Sequence, residues 1–254
     1  MTIVVKLGGR VQSDARLADA VKKLWASTNS SLCIVHGGGD EVSSFQRQMG
    51  REPTFVNGRR VTTDEDLELV RMVLSGSTNK RLVSALAAAG LPAVGISGED
   101  GGLIAAEPID VEQFGRAGKP VASHTGIIET LLSGGFLPVI SPVARDVTSQ
   151  SGEALNVNGD DAAAAIAGAL SAELWLIADV AGVLDEDGSV LSHIDAARME
   201  ALVTEGIVNK GMFAKLEAGF GALSAGSPVV RIASLEAFSD PDSGTHLSFT
   251  PSLR

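Results

Sequence analysis

Four short segments hold the residues best suited to chemistry: Lys6-Leu7-Gly8-Gly9, His36-Gly37-Gly38-Gly39-Asp40, Asn156-Val157-Asn158-Gly159-Asp160 and Asp179-Val180-Ala181-Gly182. Glycines where a strand turns into a helix let backbone N–H groups approach an oxyanion, and the helix that follows adds its positive end. The pattern suits phosphate better than an apolar ligand. The aliphatic neighbours of Lys6 imply burial, and a buried ammonium without a partner is unfavourable enough to lose its proton, so an anion must lie near it. Lys215, in Gly211-Met212-Phe213-Ala214-Lys215-Leu216-Glu217, stands early in a helix, where the macrodipole disfavours a cation. Taken alone, Lys215 also reads as a solvated surface lysine. His36, at the end of an apolar strand, reads as a hydrogen-bonded structural histidine and is left out of the chemistry.

Familiar signatures are missing. No Gly-x-x-x-x-Gly-Lys-Ser/Thr occurs, since Gly115-Arg116-Ala117-Gly118-Lys119-Pro120 is too short and ends in proline. No Gly-x-Gly-x-x-Gly follows a strand, and there is no His-Glu-x-x-His or serine nucleophile elbow. His36, His124, His193 and His246 are too dispersed to suggest a metal cluster. A Walker NTPase, a standard dehydrogenase, a zincin and an α/β-hydrolase all lose ground.

The elements that must position these residues alternate. Ile3-Val4-Val5, a helical pattern from Ser13 to Ala26, and Leu32-Cys33-Ile34-Val35 read as βαβ, with Ser13 or Asp14 as cap and Leu17, Val21 and Leu24 on one face. Asn57-Gly58, between β-favouring residues, signals a hairpin that carries Arg60 on its return strand. A long helical pattern runs from Thr63 to about Ala89, with an interruption near Gly76, and is a candidate dimer surface. A strand at 92–97, a hairpin-prone middle segment up to about Ser123, a helix at 125–133 and a strand at 136–141 follow. Beyond them lie a helix at 158–167, a strand at 174–180, helices near 196–204 and 211–224, a strand at 229–233 and a closing strand at 247–249. The fold class is α/β: an open, mainly parallel sheet covered by helices on both faces, with ligands outside the carboxyl ends of its strands.

With 254 residues, 44% of them hydrophobic, the chain is one large domain or two intimate lobes meeting near residues 150–180. The single cysteine, Cys33, cannot form an internal disulfide and fills a buried strand. A formal charge of −11 argues against broad binding to nucleic acid or an anionic membrane. No apolar run approaches the length of a membrane span, and Met1-Thr2-Ile3-Val4-Val5-Lys6 lacks a signal sequence, so a cytoplasmic protein is expected.

In this order and spacing the segments resemble the N-acetylglutamate kinases of the amino acid kinase family nearly end to end. The resemblance is carried by Val5-Lys6-Leu7-Gly8-Gly9, Val35-His36-Gly37-Gly38-Gly39, Asn57-Gly58-Arg59-Arg60-Val61-Thr62, Met72-Val73-Leu74-Ser75-Gly76 with Asn79-Lys80, Asn156 to Asp160, Asp179 to Val183, and Gly211-Met212 with Lys215. It implies a three-layer α/β/α sandwich, with residues 1–150 binding N-acetyl-L-glutamate and forming the dimer, and residues 151–254 binding MgATP. The implied reaction makes N-acetyl-L-glutamyl 5-phosphate, the second step of arginine biosynthesis. By motif match, Gly37 and Gly38 offer N–H groups to the γ-carboxylate, Arg60 and Asn156 hold the α-carboxylate, and Asn158 is a further substrate-binding residue. Lys6 and Lys215 neutralise the transferring phosphoryl, Gly9 donates to it, and Asp160 orients both lysines. Gly8, Asp179, Val180 and Gly182 serve the nucleotide, and the implied cofactors are ATP and Mg²⁺, with no residue assigned to the metal. The chemistry agrees: a carboxylate with a reference pKa of about 4.3 is already ionised, so no general base is required.

Three positions depart from the family pattern: Arg10 after the first glycine pair, Asp161 for a commoner glutamine, and Ala214 before Lys215. Asp161 adds charge near the site, so its side chain is expected to point away. With only Met1 and Thr2 before the first strand, the N-terminal helix of arginine-inhibited hexameric members is missing, and a homodimer is expected. Two rival readings are a kinase acting on carrier-linked 2-aminoadipate or glutamate in lysine biosynthesis, and a non-catalytic amino-acid sensor. The presence of Lys6, Asp160 and Lys215 together argues against the sensor.

Overall fold

Every side chain of Ile3–Leu7 is buried, which a strand achieves only when both faces of its sheet are covered. This strand pairs in parallel with Leu32–His36 on one side and Glu173–Ile177 on the other. The computed structural model describes residues 1–56, 58–208, 210–240 and 242–249; Asn57 of the expected hairpin turn lies outside the described residues. The main sheet has eight strands, in the order His193–Ile194, Thr245–Leu247, Val230–Ala233, Glu173–Ile177, Ile3–Leu7, Leu32–His36, Leu137–Ser141, Ala93–Ser97. All its pairings are parallel except that between Thr245–Leu247 and Val230–Ala233.

Alternation along the first strand decides what each face does. Ile3, Val5 and Leu7 pack with Val21, Leu24, Ile34 and Trp175 on the face covered by helix Leu17–Ser27. Val4 packs with Cys33, Leu174 and the alanine-rich helix Gly159–Leu170 on the other. Lys6 shares the face of Val4, so its side chain leaves the sheet toward the start of that helix. Burial of Cys33 pushes its thiol up to about 12, as suits an inert core residue.

The middle segment is less regular than the expected hairpins. Ile104–Pro108, Ala117–Ser123, Val143–Asp146 and Ala154–Val157 close into a small four-stranded barrel beside the main sheet. Asp64–Ala88 is helical throughout, but Arg71–Thr78 is a π-helix, so the irregularity expected near Gly76 takes the form of a widened turn. The first helix also differs from expectation: a 3₁₀ turn at Arg10–Ser13 intervenes and the helix begins at Leu17 without a side-chain cap.

Candidate active site

Lys6 and Lys215, 209 positions apart, converge on one carboxylate. Lys6 Nζ lies 2.9 Å from Asp160 Oδ1, and Lys215 Nζ lies 3.0 Å from Oδ2 and 3.1 Å from Oδ1. Lys6 is 7% exposed and Asp160 5%. Asp160 stands in the first turn of helix Gly159–Leu170, where the macrodipole favours an anion, and Asn158 caps that helix by accepting from the Asp160 N–H at 2.8 Å. Burial works to raise the Asp160 carboxyl, but the two lysines outweigh it and leave it below the usual carboxylate range. Burial, then the charge of Lys6, holds Lys215 below the ordinary lysine value despite Asp160.

Two cavities meet at this triad. One, of about 320 Å³, is lined by Lys6, the turns at Gly9 and Gly37–Asp40, Arg60, Asn156 and Asp160. The other, of about 710 Å³, is lined by Asp179, Val180, Arg10 and the stretch from Gly211 to Lys215. Asp160, Asn158, Gly58 and Arg59 border both. The arrangement gives a small polar chamber and a larger one joined at a pair of ammonium groups, which is a geometry for passing an anionic group from one chamber to the other.

In the smaller cavity Arg60 is 8% exposed and donates to Gly39 O and Ser43 Oγ, both at 2.7 Å, and to Gln46 Oε1. Its guanidinium also lies over the Phe55 ring, 4.7 Å from the centroid. Asn156 donates to Thr62 Oγ1 at 3.0 Å. The glycine turn corrects one expectation. Gly37 N–H is engaged by Leu7 O at 2.9 Å, because the strand pairing continues one residue past His36. The N–H groups left facing the cavity are those of Gly38 and of Gly39, which opens helix Gly39–Gln48; Gly39 was missed from sequence. A Cβ on Gly38 would come within 2.7 Å of Leu74 Cδ2, so a side chain there would force Leu74 to move.

Two more expectations need correcting. Gly8 borders neither cavity and gives its N–H to Ile177 O at 3.0 Å, so it makes the turn and leaves Gly9 to face the site. Gly182 likewise borders neither and packs where a Cβ would meet Thr245 and Val190 at 2.7 Å. Arg10, whose position looked unusual, pairs with Asp179 at 3.0 Å at the mouth of the larger cavity and is the main cause of that carboxyl's lowered pKa. Asp161 turns away from both cavities and pairs with Arg59 at 3.1 Å, its carboxyl raised by burial.

Comparison with known proteins agrees with this geometry. Residues 1–234 match the amino acid kinase family, and the chain belongs to that family. It is 42% identical over 235 residues to an acetylglutamate kinase of Geobacillus thermodenitrificans, an alignment covering 92% of this chain and 90% of the relative. It is also 42% identical over 234 residues to an acetylglutamate kinase of Paracoccus denitrificans, covering 91% and 76%. Among solved structures, the smu.665 protein of Streptococcus mutans superposes with a TM-score of 0.86 at 27% identity, covering 98% of this chain and 99% of that one.

Proposed function

We propose that this chain transfers the γ-phosphoryl group of ATP to the γ-carboxylate of N-acetyl-L-glutamate, forming N-acetyl-L-glutamyl 5-phosphate in arginine biosynthesis. The observation that carries the reading is the Lys6–Asp160–Lys215 triad at the junction of two cavities. The names of the relatives at 42% identity support the choice of acceptor.

The smaller cavity, lined mostly by residues before 150 and closed by Asn156 to Asp160, receives acetylglutamate. Arg60 and Asn156, with Asn158 at the cavity's edge, hold its α-carboxylate end, and the N–H groups of Gly38 and Gly39 orient the γ-carboxylate. That carboxylate attacks as the anion it already is, so the site's work is alignment and charge stabilisation. Lys6 and Lys215 neutralise charge on the phosphoryl group in transit, helped by the Gly9 N–H, and Asp160 keeps both ammonium groups in place and protonated. The larger cavity, with Asp179 and Val180 and lined mostly by residues after 150, receives the nucleotide.

Among the described residues no group of three or more His, Cys, Asp or Glu side chains could cage a metal, and both Asp160 oxygens are taken by lysines. The donor set therefore fits Mg²⁺ as a companion of the nucleotide, held largely by phosphate oxygens, where it supplies further charge neutralisation. Among the described residues no helix is long and apolar enough to cross a membrane. A cytoplasmic homodimer is part of the proposal.

The test traps the acyl phosphate with hydroxylamine, in the presence of ATP and Mg²⁺, across acetylglutamate, glutamate, aspartate and 2-aminoadipate derivatives. Hydroxamate from acetylglutamate well above the others is expected. Preference for a 2-aminoadipate derivative or a carrier-linked acceptor would overturn the acceptor assignment, and absence of any product would overturn the kinase reading.

A further inference from the structure

The glycine turn that faces the acceptor cavity is held from behind by two side chains that border neither cavity. Gln12 Nε2 donates to Gly37 O at 2.8 Å, and His36 Nδ1 lies 2.9 Å from the same oxygen. The tautomer follows from the next partner along. Asn79 Nδ2 donates to Val139 O at 2.9 Å and lies 3.1 Å from His36 Nε2, while Asn79 Oδ1 accepts from Lys80 Nζ at 3.1 Å. The Asn79 amide is thus oriented with its NH₂ toward the imidazole, Nε2 accepts, and the ring proton sits on Nδ1, pointing at Gly37 O. His36 is fully buried, and burial lowers it to about 4, so it is neutral near pH 7.

A trans peptide carries its C=O and N–H on opposite sides. Fixing the Gly37 carbonyl from the protein side therefore aims the N–H of the same peptide unit, that of Gly38, into the cavity. Two donors on one carbonyl also polarise that unit and make its N–H a better donor. Gln12 adds a second link. It belongs to the 3₁₀ turn directly after Gly8-Gly9, and its Nε2 also lies 3.5 Å from Gly8 O. One side chain thus ties the glycine turn on the phosphoryl side to the glycine turn on the acceptor side.

Building on the acetylglutamate reading, we propose that Gln12 and His36 are positioning residues for phosphoryl transfer: by clamping the Gly37 carbonyl they aim the Gly38 N–H at the acceptor carboxylate and set its distance from the Gly9 turn. Asn79 supports the clamp by fixing the imidazole.

The test uses Gln12→Met, which keeps the volume and removes the donor, with kinetics for both substrates and the carbonyl-carbon resonance of Gly37 in the ligand-free protein. The clamp predicts an acetylglutamate KM raised about fivefold to tenfold, the loss of one hydrogen bond's worth of alignment, with the ATP KM unchanged and the Gly37 carbonyl resonance moved upfield. His36→Leu should do the same, and His36→Asn, whose amide nitrogen can take the place of Nδ1, should restore much of the loss. Should His36→Leu fail to fold, Gln12→Met still decides the matter. An unmoved carbonyl resonance, or both KM values changing together, would overturn the clamp. A wild-type chain that ignores acetylglutamate would instead overturn the acceptor assignment, with the Gly37 resonance still reporting on the clamp itself.

Discussion

Replacing Asp160 with asparagine removes the anion that two lysines share while keeping the size of the side chain. Lys6 Nζ and Lys215 Nζ lie 2.9 and 3.1 Å from the same oxygen, so the two nitrogens are at most ~6 Å apart. At an effective dielectric of about 20, two unit positive charges at that separation repel by about 3 kcal/mol, roughly a hundredfold bias against holding both protons. In the native site each lysine is attracted to Asp160 by about 5 kcal/mol before desolvation is counted, enough to keep the pair charged. In the variant, Lys215, already below the ordinary lysine value because of burial, should be the group that gives way. Turnover at neutral pH should therefore fall about a hundredfold or more, and the alkaline limb of kcat/KM should move to lower pH. Hydroxamate formation followed across pH reads both effects, and an NMR titration of the lysine side chains reads the protonation directly. An alkaline limb in its native place, with kcat within tenfold of the parent, would refute the argument that Asp160 acts by holding two charges together.

Lys6→Ala should lower kcat by orders of magnitude, with the circular dichroism spectrum and urea midpoint close to the parent's; near-normal turnover would discredit the phosphoryl-stabilising role. Arg60→Ala should chiefly raise the acetylglutamate KM, and a change confined to the ATP KM would move Arg60 out of the acceptor cavity. Acid should weaken the fold through His36, which is about 4 in the folded chain against an ordinary 6.5. The unfolded chain binds the extra proton between those values, so stability is full above about 6.5 and declines by about 3 kcal/mol as pH falls toward about 4. Urea midpoints across that window should fall less steeply in His36→Asn than in the parent, and parallel curves would contradict the assignment of a buried neutral imidazole.

Strand ends were the readable part of this chain. Alternating apolar runs and helical faces locate the parallel sheet, and the burial of Lys6 demands an anion, but its identity as Asp160 and the convergence with Lys215 came from the family resemblance alone. The individual hydrogen bonds at the glycine turns were not readable, since sequence does not say how far a strand ladder extends. The first residue after each strand continues the ladder, so the N–H groups of Gly8 and Gly37 bond Ile177 O and Leu7 O and are spent before the cavity begins. That rule, applied at the outset, would have selected Gly39 over Gly37. Gln12 carried no signal because a lone polar residue in a short turn has no periodicity to read. The small barrel between residues 104 and 157 was hidden for a related reason: a bulge at Ala105/Ala106 breaks the alternation of its first strand.

The strand Ile3–Leu7 is hydrogen-bonded over five residues to Leu32–His36 on one edge and to Glu173–Ile177 on the other. Any hinge that swung residues 151–254 away from residues 1–150 as rigid bodies would have to tear one of those ladders. The floor carrying Lys6 is thereby continuous across both halves of the chain, and the turns that border the two cavities rise from neighbouring strands of one sheet. The two cavities are thus built on a common plate, their spacing tied to the hydrogen-bonded register of adjacent strands.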